Sequence, residues 1–463
     1  MHRVIAISDL HIGGEPPPML GHPETLAGFL TAVAEHPTRE GESLELVIHG
    51  DFVDFLAEEP WRPWTPSEDE AITKLRKIFG RVPEVRMALC RCLQRVNRFT
   101  LLLGNHDVEL ALPRVREELF RLLETAPQRC NFVYNNEAYR VGDLLIEHGN
   151  RYDVWNRIDH DGLRQTLSAL SRGEKPGEDW LVSCPGSNLV VKAMNPLKEM
   201  YSFIDLIKPE DKLIAILLPQ IAPKSTQLIP HFFTYERNSV DRFIQRVLPR
   251  APGRQFIADE DGSPTSHLPT DVALGERDAL IAYAEESKLL DADDAPPAVK
   301  LEKIAGDQFP TDGPLAAKEV KKLQTKLRHA LRNDQTFKED DQGAPGTASR
   351  ACFDAAKKII DSGTARVVVM GHTHLRRNIA VGDGRYINTG TWADLIRVED
   401  KALEDSPEGR IALNNWWRRL VSGEAALRFH EPTFADVRLN DDNHIIAEGR
   451  PFLRIFKNGS IDE

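Results

Sequence analysis

Five short apolar runs, each ending in a cluster of Asp, Asn or His, constrain this chain more than any other feature. Val4 to Ile7 leads into Asp9-Leu10-His11, Leu44 to Ile48 into Gly50-Asp51-Phe52-Val53-Asp54, and Thr100 to Leu103 into Gly104-Asn105-His106-Asp107. Leu144 to Ile146 leads into His148-Gly149-Asn150, and Val367 to Met370 into Gly371-His372-Thr373-His374. Short runs of Val, Ile and Leu that end in polar residues fit buried strands, more parallel than antiparallel. Ligands of open α/β sheets bind just outside the carboxyl ends of strands. Five strand ends would therefore bring Asp, Asn and His from distant parts of the chain to one crevice.

Those side chains together are metal ligands. Carboxylates and neutral imidazoles are the usual first shell of Zn, Mn and Fe. In an Asp-x-His pair at a strand end, both side chains leave on the same face, because side chains alternate along a strand. His372 and His374 repeat the spacing of Asp9 and His11. Two metals about 4 Å apart need a bridging ligand, which a carboxylate oxygen can supply. Gly50, Gly104, Gly149 and Gly371 are expected to let the backbone turn and a substrate approach. One such cluster is weak evidence, because a solvated strand end looks the same. Five in order, each after an apolar run, are hard to obtain by accident.

With 463 residues, the chain is long for one core. Residues 1–153 alternate strand and helix. Helices are expected over Glu24 to Ala34, over Glu68 to Val96 with a break at Gly80 to Pro83, and over Glu117 to Glu124. This rhythm implies a parallel or mixed sheet covered by helices. Over residues 154–349 the strand pattern fades. Helices are expected at Asp205 to Leu218, Val240 to Val247, Glu276 to Leu290 and Ala316 to Arg332, and Thr336 to Arg350 reads as polar loop. A crossover helix resumes at Ala351 to Ser362, and Phe434 to Leu439 with His444 to Phe456 reads as a late antiparallel pair. The fold expected is an α/β core, 1–153 plus 350–463, interrupted by a helical insertion, 154–349.

The series Asp-x-His, Gly-Asp-x-x-Asp, Gly-Asn-His-Asp, His and Gly-His-x-His closely resembles the calcineurin-like metallophosphoesterases. The resemblance covers residues 1–153 and 350–395. It implies a β-sandwich flanked by helices, with two divalent metals (Mn, Fe, Zn or Co) at one edge. It implies that Asp9, His11, Asp51 and His374 hold one ion and that Asp51, Asn105, His148 and His372 hold the other, with Asp51 bridging. His106 would face the substrate, and Asp54 would orient His106. The implied activity is hydrolysis of phosphomonoesters or phosphodiesters by a hydroxide shared between the two metals.

The expected substrate is a phosphorylated small molecule or nucleotide. The net charge of −12 argues against a nucleic-acid surface, which needs a basic face; a nuclease of the same fold is the second reading. A non-catalytic scaffold is the third, and the complete set of ligand positions counts against it. Arg151, Tyr152, Arg376 and Asn388 are candidate substrate contacts, since a guanidinium fork suits phosphate and Asn388 ends a strand. The alternatives are surface arginines paired with acids, and a structural turn at Asn388. Asp153 is placed to orient Arg151 or Tyr152. The five cysteines, Cys90, Cys92, Cys130, Cys184 and Cys352, lack paired zinc-finger spacing and fit a reducing compartment. No signal-peptide pattern opens the chain, and no apolar run approaches the roughly 20 residues of a membrane span; a cytoplasmic protein is expected. Leu206-Ile207 and Leu213 to Leu218 could form an apolar lid, but the insertion's own core or a homo-oligomer contact is the favoured reading. Lys318, Lys321, Lys322, Lys326 and Arg328 read as a solvated helix face.

Overall fold

The computed structural model describes residues 1–36, 41–153, 155–177, 180–208, 213, 216–217, 315, 317–331, 347–446, 452–457 and 459–461. In chain order the strands are β1 (His2–Ile7), β2 (Ser43–His49), β3 (Arg98–Leu102), β4 (Cys130–Val133), β5 (Tyr139–Val141), β6 (Leu144–Ile146) and β7 (Val367–Met370). They continue with β8 (Arg377–Val381), β9 (Gly384–Asn388), β10 (Leu395–Ile396), β11 (Arg428–Phe429), β12 (Thr433–Leu439) and β13 (Leu453–Ile455). Six form one sheet in the order β13-β12-β1-β2-β3-β4, and five form another in the order β5-β6-β7-β9-β8. Strands β1 to β4 are mutually parallel, as are β6, β7 and β9. The antiparallel strands β12, β13, β5 and β8 lie at the sheet margins.

The period-2 alternation of each central strand explains the layering. In β1, Val4 and Ala6 pack with Val47 and Leu102 against Leu144, Ile146, Val367, Val369 and Ile387 of the second sheet. Ile5 and Ile7 face the opposite way. They join Leu46, Ile48 and Leu101 in the core beneath α1 (Pro23–Glu35), α2 (Glu68–Arg81), α3 (Pro83–Arg95) and α4 (Pro113–Leu122). Val368 and Met370 point to the other outer face, where they meet Cys352 and Ala356. The result is a helix-sheet-sheet-helix sandwich in which the β1 and β7 runs are buried on both faces. Each such Val or Ile contributes roughly 1.5–3 kcal/mol by leaving water.

Local signals set the helix ends. Ser67 caps α2 by accepting from the Glu70 amide, and Glu68, Asp69 and Glu70 fill its first turn, where the helix dipole favours acids. The break falls at Val82, and Pro83 opens α3 at the position where its missing N–H costs nothing. The same rule moves the helix expected from Glu117: α4 starts at Pro113 and ends at Leu122.

The remaining helices are α5 (His160–Ser171), α6 (Pro185–Leu189), α7 (Asn195–Met200), α8 (Ala317–Leu331), α9 (Thr347–Asp361) and α10 (Pro407–Val421), with a π-helical turn, Val190–Met194, joining α6 to α7. Helix α9 begins inside the stretch expected to be loop. Of the expected helix over 205–218, the start differs: Ile207 makes a parallel bridge with Ile396, because β10 offers an open edge there. The helices expected at 240–247 and 276–290 lie outside the described residues. Met194, Phe203, Leu206, Ile207, Leu213 and Leu217 form a second core with Val320, Leu323 and Leu327 of α8 and with Ile396, Trp416, Trp417 and Leu420. Leu206, Ile207, Leu213 and Leu217 are therefore packed interior that unites the described parts of the insertion with the region after Asp394. Lys318, Lys321, Lys322 and Lys326 lie on the exposed side of α8, and Arg328 pairs with Asp405. Among the described residues none of the five cysteines forms a disulfide, and no helix is long and apolar enough to cross a membrane.

Candidate metal centre

The ends of β1, β2 and β3 in one sheet and of β6 and β7 in the other converge at one edge of the sandwich. Asp9 Oδ1 lies 3.4 Å from His374 Nε2, which lies 2.9 Å from His11 Nε2. His11 Nε2 is 3.8 Å from Asp51 Oδ2, and the same oxygen is 3.2 Å from His148 Nε2. Two groups of potential ligand atoms result, each within 4.8 Å of one another: Asp9, His11, Asp51 and His374, and Asp51, His148 and His372. Asp51 belongs to both. The side-chain carbonyl of Asn105 is buried nearby.

The backbone is bent to make this convergence. Asp9 (φ 53), His11 (φ 44), Asp51 (φ 48), His372 (φ 69) and His374 (φ 59) all adopt left-handed conformations, five of the eight non-glycine residues that do so among those described. Such conformations cost about 1–3 kcal/mol each and persist where surrounding structure enforces them. The neighbouring glycines were expected to admit a substrate; the closest neighbour of Gly50 is instead the His148 ring and that of Gly104 the Asp51 carboxylate, while Gly149 faces Cys352 and Met370. A Cβ on Gly104 would lie 2.0 Å from Asp51 Oδ1, and one on Gly371 2.3 Å from Asp9 Oδ2.

Behind three imidazoles stands a group that can only accept a proton, which fixes which ring nitrogen is free. His148 Nδ1 donates to the carbonyl of His49 at 3.0 Å, His11 Nδ1 to Asp54 Oδ2 at 3.3 Å, and His372 Nε2 to Asp153 Oδ2 at 2.9 Å. The opposite nitrogen of each ring keeps its lone pair, the arrangement that orients metal-bound histidines. Asn105 Oδ1 is buried without a hydrogen-bond partner, and His148 Nε2 has only the Asp51 carboxylate beside it, at 3.2 Å. Buried polar atoms are seldom left so. Carboxylate oxygens and imidazole nitrogens gathered in this way fit a divalent transition metal, the unpartnered Asn105 oxygen is of a type that can join them, and the residues therefore fit the ions that the sequence implies.

The charges are strongly coupled. Burial would raise the Asp9 and Asp51 carboxyls, but His374 and His148 beside Asp9, and His148, His106 and His11 around Asp51, outweigh it and hold both well below the usual carboxylate range. Burial likewise would raise the Asp54 carboxyl, but His106 and His11 outweigh it and hold it well below the usual carboxylate range. His106 Nδ1 sits 3.1 Å from Asp54 Oδ1. Despite its burial, the charges of Asp54 and Asp51 raise His106 to about 10, and those of Asp51 and Asp9 raise His148 to about 9. Burial lowers His374 to about 3.

Several supporting residues were not found from sequence. Asp107 accepts from the Gly104 amide at 2.7 Å and the Phe52 amide at 2.8 Å, tying the β3 and β2 loops together; its place in Gly-Asn-His-Asp was the available signal. Asp54 holds His11 as well as His106. Asp153, expected beside Arg151 or Tyr152, instead holds His372, the Trp155 amide and Asn156 Nδ2. No sequence signal pairs it with a residue over two hundred positions away.

The expected substrate contacts each meet other groups of the chain. Arg151 reaches Glu147 and Asn136, and the Tyr152 hydroxyl donates to Glu147 at 2.6 Å. Arg376 Nε is 3.4 Å from Glu431. Asn388 is fully buried; its amide donates to the Gly371 carbonyl and its oxygen accepts from the Gly390 amide. It braces the His372 loop, the structural role set against substrate binding above.

Residues 2–204 match the family described as calcineurin-like phosphoesterase. That span holds four of the five clusters; the fifth, with His372 and His374, lies beyond it and reaches the others through β7. No curated protein matches the chain. Among solved structures, the phosphopantetheinyl hydrolase PptH of Mycobacterium tuberculosis aligns with 84% of this chain and 90% of its own, at 13% identity and a TM-score of 0.24; a likeness that loose bears on neither fold nor substrate.

Proposed function

Because residues 2–204 are those of a calcineurin-like phosphoesterase, we propose that this chain is a hydrolase of phosphoester bonds that works with two divalent metals. The observation that carries the reading is Asp51, a single carboxylate shared by both ligand groups. In this reading Asp9, His11, Asp51 and His374 hold one ion, and Asp51, Asn105, His148 and His372 hold the other. The ions supply a Lewis acid for the phosphoryl oxygens and water activated near neutral pH.

The rest is the work of the chain. Asp54 holds His106 through Nδ1, so Nε2 is the nitrogen available to a substrate. In the metal-free chain the charges of Asp54 and Asp51 outweigh burial and raise His106 to about 10, and Asp54 stays beside Nδ1 to favour a protonated ring. His106 is suited to a phosphoryl oxygen or to the leaving group. Asp153 and the His49 carbonyl fix the directions of His372 and His148. The strained loops at Asp9, Asp51 and His372 are pre-shaped, so little reorganisation accompanies binding.

The insertion, 154–349, is read as a wall of the crevice. Asn195 of α7 donates to the Leu56 carbonyl at 2.8 Å, two residues past Asp54, and Asn156 meets Asn105 at 3.5 Å. Both ends of the insertion leave the sheets at the ligand edge, where loops commonly carry specificity. The substrate expected is a small phosphorylated molecule or nucleotide. The test is a panel of aryl phosphate monoesters and diesters, each assayed with Mn, Zn, Co and Fe(II). Turnover that requires added metal and disappears in Asp51→Ala supports the reading. Absence of turnover with every metal and ester, in protein shown to bind two ions, would turn it toward the scaffold alternative.

A further inference from the structure

Beneath Asp9 runs a buried chain of hydroxyls that ends on a histidine. Ser8 Oγ contacts Asp9 Oδ2, Ser8 Oγ lies 2.7 Å from Thr389 Oγ1, and Thr389 Oγ1 lies 3.2 Å from His49 Nε2. Ser8, Thr389 and His49 are each 0% exposed. An ionised carboxylate only accepts, so the protons have one consistent order: His49 Nε2–H donates to Thr389, Thr389 to Ser8, and Ser8 to Asp9. The Thr389 backbone is itself pinned, its carbonyl accepting from Thr433 Oγ1 and its amide donating to the Met370 carbonyl at 2.9 Å.

The same histidine touches the other half of the centre. Its carbonyl takes the His148 Nδ1 proton at 3.0 Å, and it stands two residues before Asp51. One residue on β2 is thus linked to Asp9 through its side chain, to His148 through its backbone and to Asp51 through the chain. The relay also crosses between sheets, from His49 on β2 to Thr389 just after β9 and back to Ser8 just after β1.

Building on the two-metal reading above, we propose that His49, Thr389 and Ser8 are positioning residues: they fix the Asp9 carboxylate for the first ion and set how tightly that ion is held. Buried polar chains of this kind rigidify when every member is satisfied. Outer-shell partners of metal ligands typically change affinity about 10–100-fold. Without its relay the Asp9 carboxylate is left with the His372 amide, 3.0 Å from both of its oxygens, and loses the Ser8 hydroxyl that fixes Oδ2, whereas His148 and His372 keep their own carbonyl and carboxylate supports. The loss should therefore fall on one ion.

The experiment is Mn²⁺ titration by calorimetry of the full chain, comparing wild type with Thr389→Val, Ser8→Ala and Thr389→Ser. Thr389→Val keeps shape and removes the hydroxyl. It should weaken one Mn²⁺ about 10–100-fold and leave the other within a few-fold. Thr389→Ser restores a hydroxyl and should restore both affinities, which a merely structural loss of packing would not do. Ser8→Ala covers the case in which Thr389→Val fails to fold. Two ions bound with wild-type affinities in folded Thr389→Val or Ser8→Ala overturn the relay and leave the two-metal reading standing. Wild-type protein that takes up no Mn²⁺, Zn²⁺ or Co²⁺ overturns that reading and the relay with it.

Discussion

The two sheets contribute differently to the centre. The six-stranded sheet supplies all the acids, Asp9, Asp51 and Asp54, together with Asn105, His11 and His106. The five-stranded sheet supplies only imidazoles, His148, His372 and His374. Left alone, the first face would be an excess of buried negative charge and the second a row of bases with Asp153, at His372, as its counter-charge. In the two-metal reading neither would hold a metal by itself: every candidate ligand group contains residues from both, with the exception of His11, Asp54 and His106, which that reading gives to a donor rather than an ion. Ions placed here would fasten one sheet to the other, as well as doing chemistry.

That asymmetry can be broken most sharply at Asp51. Asp51→Ala removes the oxygen common to both groups, so both ions and all metal-dependent hydrolysis should be lost. His372→Ala, on the imidazole sheet, should cost one ion and leave the other. Elemental analysis of reconstituted protein separates the two outcomes, and equal loss in both variants would mean that the sheets do not divide the work in this way. His106→Ala should keep both ions and lower kcat about 10²-fold or more, as for a lost transition-state donor. Metal loss there would move His106 into the ligand set. Asp153→Asn keeps the size but alters the partner of His372 Nε2; one ion should weaken about 10–100-fold in a calorimetric titration, with the other unchanged. Unchanged affinity for both would reduce Asp153 to a loop support.

The smallest effect is one of pH in metal-free protein. His106 and His148 are raised to about 10 and about 9, above the ordinary value of about 6.5. Groups raised on folding stabilise the fold fully below their unfolded pKa, and that contribution is lost as pH rises through the folded values. The melting temperature of the metal-free chain should therefore fall between pH 7 and 10. Bound metal replaces those protons and should flatten the fall. A flat profile without metal would show that the carboxylates of the first sheet do not grip the imidazoles in the way described.

What the sequence disclosed was the part written in short-range pattern. The apolar runs marked β1, β2, β3, β6 and β7, and the residues after them were the ones brought together. The Gly80 to Pro83 break fell where Val82 separates α2 from α3. Helix α10 was missed, although Ser406 and Pro407 spell a capped start, because its Trp416 and Trp417 sit in a region without a recognised frame. The margins β5 and β8 are short and make sense only once a neighbouring strand exists. Asp153, the Asp107 ties and the His49 relay are through-space facts. Each joins residues that no spacing relates, so only the folded chain reveals them. The partners of Arg151 and Tyr152 were illegible for the same reason: nearness in sequence to His148 did not say which way a side chain would turn, and both meet Glu147.

The account rests on two ions sharing Asp51 between the sheets. The most direct test is the metal content of wild-type chain, stripped with chelator, reloaded separately with Mn²⁺ or Zn²⁺ and freed of excess by gel filtration. About two equivalents per chain are expected, with the melting temperature raised on loading. One equivalent, or none, would contradict the shared site.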